Sequence, residues 1–64
     1  MTHDEIKAEI AKLTKDAADY LARYERDEAR WQQYRLAADD EGAFQNWRRY
    51  ERTKNEIAAL EAQL

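Results

Sequence analysis

Apolar and aromatic residues recur along the first half of the chain at alternating steps of four and three: Ile6, Ile10, Leu13, Ala17, Tyr20, Tyr24, Trp31, Tyr34 and Ala38, with only Asp27 interrupting the series. A stripe of this period, widened at Leu21, is the seam of a long helix that packs on another helix. The second half carries a matching seam at Ala43, Asn46, Tyr50, Thr53, Ile57, Leu60 and Leu64, with Phe44 and Trp47 beside it. Between the stripes stands Asp39-Asp40-Glu41-Gly42, short polar side chains next to the chain's one Gly. That combination marks a helix end and a tight connection. The pattern predicts an all-α fold: a two-helix antiparallel hairpin over 1–64, with helices at about 2–38 and about 43–64 and a turn at 39–42. Thr2 and Glu5 have the spacing of a capping box, and Asp4 and Glu5 sit where the helix dipole favours acids.

These arms are unequal, about 54 and 33 Å at 1.5 Å per residue. A fold at 39–42 sets Tyr34 against Trp47, Trp31 against Tyr50 and Tyr24 against Ile57, and brings Lys54 opposite Asp27. Asp27 and Lys54 are therefore expected to form a register pair, as a lone polar residue on a helical seam fixes alignment. The same register leaves roughly sixteen residues of the first helix uncovered, about 24 Å. Ile6, Ile10 and Leu13 lie on this overhang, and burying each is worth about 1.5–3 kcal/mol. They are the expected self-association surface, and the hairpin is expected to assemble into a dimeric helical bundle.

Composition narrows the chemistry. The chain is 44% hydrophobic and 39% charged, with no Cys, no Pro and one His. It also lacks Ser and Val, while Ala, Glu, Arg, Lys, Gln and Leu, all strong helix formers, are abundant. Without Ser, Cys or a second His, no Ser/His, Cys/His or multi-His arrangement can be built within one chain, so no catalytic, metal or cofactor residues are assigned. His3 stands at the helix start and is expected to be exposed. No Gly-rich phosphate loop, no basic leader and no apolar run long enough to span a membrane occurs, so a cytoplasmic, non-membrane setting is expected.

The net charge of −3 conceals an uneven distribution. Residues 44–54 sum to +3 and 36–43 to −3, and in the expected register 44–54 lies beside 23–35, which sums to +1. Arg23, Arg26, Arg30, Trp47, Arg48, Arg49 and Arg52 thus form an expected partner-binding midsection, since Trp and Arg dominate protein-interface hot spots. A small non-enzymatic protein-binding module (adaptor, inhibitor or regulator) is the first expectation. RNA or single-stranded nucleic-acid binding through the same Arg and aromatic residues is the alternative, weakened by the acidic total.

Overall fold

The computed structural model describes all 64 residues and contains two helices, α1 over His3–Tyr34 and α2 over Ala37–Glu61. They pack antiparallel into a rod whose Cα extents are 47 × 14 × 11 Å. At the start of α1 the capping box forms in both directions: Glu5 N–H donates to Thr2 Oγ1 at 3.2 Å and Thr2 N–H to Glu5 Oε1 at 3.3 Å.

The turn is not at 39–42. It falls at Arg35 and Leu36, where Arg35 adopts the left-handed conformation (φ 59°) and its N–H donates to Trp31 C=O, while Leu36 is extended and opens α2. The acidic residues are the reason the pattern misleads. Asp39 and Asp40 lie in the first turn of α2, where the helix dipole stabilises a negative charge; as the end of α1 they would have opposed it. Gly42 is an ordinary helical residue without positive φ. Its missing side chain serves proximity, because a Cβ there would stand 2.7 Å from Asp27 Oδ2.

Moving the turn slides α2 along α1. Tyr24 now packs on Trp47 with ring centroids 5.1 Å apart, and Asp27 accepts a hydrogen bond from Asn46 Nδ2 at 3.1 Å. The Asp27–Lys54 register pair is not formed; Lys54 borders a cleft with Ala18, Leu21 and Ile57, well along the rod from Asp27. The long overhang disappears with it. Leu13 shares a cleft with Leu60 and Met1, and Ile6 is only 2% exposed within the single chain. Ile10 and Leu13 are half-buried. The three residues expected to await a partner are thus largely or partly covered by their own hairpin.

Both seams otherwise lie where the periodicity puts them. Ile6, Ala17 and Asp27 on α1 and Ala43, Asn46, Thr53 and Ile57 on α2 are buried, joined by Asp39 one heptad before Asn46. The core is thin and half polar: four of the eight buried residues are Asp27, Asp39, Asn46 and Thr53. None of the seven aromatic residues is buried. The largest buried apolar side chains are Ile6 and Ile57, and neither is wholly enclosed, a small core even for a chain of this length.

Candidate functional site

Helical spacing on α2 sorts its residues into rows seven apart. Asp39, Asn46 and Thr53 make one row and Ala43, Tyr50 and Ile57 the next, and these two rows form the contact with α1. Outside the second lies Asp40, Trp47, Lys54 and Glu61. The hairpin therefore has two unlike long faces, separated by the line where the helices meet.

One face is apolar and aromatic. Toward the turn its groove runs between Tyr24 and Glu28 of α1 and Asp40, Phe44 and Trp47 of α2; farther along it is floored by Ala17, Leu21, Tyr50 and Ile57. Trp47 stands between two tyrosines, its ring centroid 5.1 Å from that of Tyr24 and 5.4 Å from that of Tyr50. Trp47 nevertheless keeps 37% of its surface exposed and Phe44 58%. Tyr34 and Leu36 are also exposed, at the turn.

The other face is polar. Leu13, Asp16 and Tyr20 of α1 face Arg49, Arg52, Thr53 and Glu56 of α2 across an open cleft. The Thr53 hydroxyl is satisfied internally, donating to Arg49 C=O at 2.8 Å. Arg48 and Arg52 also border a wholly polar surface with Glu51 and Asn55 on the solvent side of α2.

The expected Arg and Trp midsection is consequently not one surface. Arg26 lies 3.5 Å from Asp27 and Arg30 lies 3.6 Å from Asp39, so both are engaged by buried carboxylates of the hairpin itself. Arg23 lies over the Tyr20 ring and Arg48 over Phe44, at 5.9 and 5.7 Å to the centroids. Trp47 belongs to the aromatic face, whereas Arg49 and Arg52 border the polar one. Only Arg23, Arg48, Arg49 and Arg52 of that set make no ion pair within 4.0 Å.

Asp39 was missed as a site of interest because its sequence neighbours read as a turn. It is 7% exposed, and its Oδ2 has no hydrogen-bond partner, while Oδ1 faces the Arg30 guanidinium. A carboxylate in that position is tolerated by the cation and by the α2 N-terminus together. No group of three or more His, Asp or Glu side chains gathers in a geometry that could hold a metal ion. No helix is long and apolar enough to cross a membrane.

No family model matches the chain, and comparison with curated proteins and with solved structures finds no match.

Proposed function

We propose that the chain is a small non-enzymatic protein-binding module, an adaptor, inhibitor or regulator, that works as a helical homo-oligomer and receives an acidic protein segment on the arginine row of α2. The observation that carries this reading is the difference among the arginines: Arg26 and Arg30 are held by buried carboxylates, whereas Arg48, Arg49 and Arg52 are exposed and unpaired. Guanidinium groups grip carboxylates with two parallel hydrogen bonds, which suits them to recognising acidic side chains. Three of them within two turns of one rigid helix hold that capacity in a fixed spacing. Nucleic acid is favoured less, because a long polyanion meets the whole chain, whose net charge is −3, and affinity for it depends on an excess of basic residues that this chain lacks, whereas a short acidic segment needs only the arginines themselves.

The test compares the wild-type chain with the R48A/R49A/R52A variant, both immobilised, in lysate of the source cell and against a labelled RNA of about 20 nucleotides at low salt. The expected result is unchanged helicity by circular dichroism, a protein retained by the wild type and lost by the variant, and no RNA bound. Equal retention by both chains overturns the assignment to the arginine row. Tight RNA binding that weakens steeply with salt replaces the protein partner by a nucleic acid.

A further inference from the structure

We infer that the aromatic face is covered by a second copy of the same chain, docked antiparallel about a two-fold axis that passes beside Trp47. This rests on the homo-oligomer reading above and adds the face, the orientation and the residues that set them.

The face carries what its own hairpin leaves uncovered. Phe44 and Trp47 are exposed although they border the helix contact, and no aromatic ring of the chain is buried by the fold. The opposite face interleaves Leu13 and Tyr20 with Asp16, Arg49, Arg52 and Glu56, and its apolar patch of Met1, Leu13 and Leu60 lies at the far end of the rod and carries no aromatic ring. A rod face of 47 × 14 Å spans about 660 Å² between Cα atoms, and the overhanging side chains bring it toward the roughly 800 Å² per partner that stable complexes bury. One face of this hairpin is therefore large enough in outline to hold a second copy.

Charge selects the orientation. The end of the groove near the turn is acidic, bordered by Glu28 and Asp40, while Lys54 borders the groove beyond Tyr50, with Glu61 one heptad farther out, where a two-fold axis at Trp47 carries it past the start of the partner's α2. Asp40 and Lys54 stand seven residues before and after Trp47 on the same row of α2, each about 10.5 Å from it along the helix. A two-fold axis at Trp47 therefore sets Lys54 of each copy against Asp40 of the other, and one rotation makes both pairs. A parallel arrangement would place Asp40 on Asp40 and Lys54 on Lys54, which like-charge repulsion opposes. The antiparallel register also lays Phe44 of one copy beside Leu21 and Tyr50 of the other, apolar against apolar.

Sedimentation equilibrium of the full chain over a wide concentration range tests this. The wild type is expected to be a dimer, and K54E or D40K alone to raise the dimer dissociation constant about tenfold, since each replaces two attractions by two repulsions. The K54E/D40K double variant is expected to recover most of that loss. Both positions are exposed, so helicity by circular dichroism should hold throughout; W47E, a harsher change, should yield monomer. A dimer unmoved by all three substitutions overturns the assignment of the face while leaving the oligomer itself standing. Monomer at every concentration overturns both, and the retention experiment with the arginine variant remains a separate reading of partner binding. Equal weakening by K54E, D40K and their combination, with no recovery, overturns the antiparallel register.

Discussion

Replacing Gly42 by Ala in an isolated helix would stabilise it by about 0.5–1 kcal/mol, because Gly gives up more backbone freedom on folding. In this hairpin the sign should reverse. A Cβ at position 42 would lie 2.7 Å from Asp27 Oδ2 and 3.3 Å from its Cγ, so the carboxylate would have to move. It is poorly placed to do so, being 7% exposed and bonded to Asn46 Nδ2 at 3.1 Å. Forfeiting that bond, in which the acceptor is ionised, costs about 1.5–3 kcal/mol, and it leaves the Asn46 amide buried without a partner. Set against the gain in propensity, the net expectation for Gly42→Ala is a loss of about 1–2 kcal/mol. Urea unfolding followed by far-ultraviolet circular dichroism, at one fixed chain concentration, measures it. The Asp27→Ala background supplies the control: with the obstruction gone, Gly42→Ala should there stabilise by about 0.5–1 kcal/mol. A Gly42→Ala chain more stable than the wild type would show that Asp27 can leave the interface without loss, and would refute the close-approach reading of this glycine.

Two further substitutions probe the turn and the polar core. Arg35→Gly should raise stability by up to about 1 kcal/mol in the same assay, because Arg35 holds a left-handed conformation that Gly adopts without steric cost. Its stacking over Trp31, at 5.6 Å, is the only interaction forfeited, and a fall in stability would mean this contact outweighs the backbone strain. Arg30→Ala should lower stability by about 1–2 kcal/mol, since it removes the cation facing a buried carboxylate whose second oxygen already lacks a partner. An unchanged unfolding midpoint would show that the α2 N-terminus alone holds Asp39.

Much of the fold is legible in the periodicity. Each buried residue except Asp39 occupies a position on one of the two seams, and the capping box at Thr2 and Glu5 forms as its spacing implies. Asp39 escaped because a run of acids beside a Gly describes a helix beginning as well as a helix ending, and only the direction of the dipole separates the two. Arg35 escaped because nothing in its side chain advertises a left-handed conformation, which usually selects Gly or Asn. The candidate surface was legible in its members and not in its grouping. Arginines and aromatics close in sequence project to different faces of a helix, and which of them share a surface depends on how the second helix is aligned.

What the sequence determined by itself is therefore local. Helix-forming composition and seam period specify two packed helices, since a chain so poor in turn residues has no other way to bury its apolar stripe. The place of the turn and the alignment of the helices were decided only in three dimensions. Shifting the connection to 35–36 leaves both seams facing inward, so hydrophobic pattern alone scarcely distinguishes the two registers. The choice falls to contacts between residues far apart in sequence: Asp27 with Asn46, Arg30 with Asp39, Trp47 with Tyr24, and the space that Gly42 leaves for a carboxylate. Those pairings are specific in geometry where the hydrophobic seam is not, because burial is non-directional and hydrogen bonds and close packing are not.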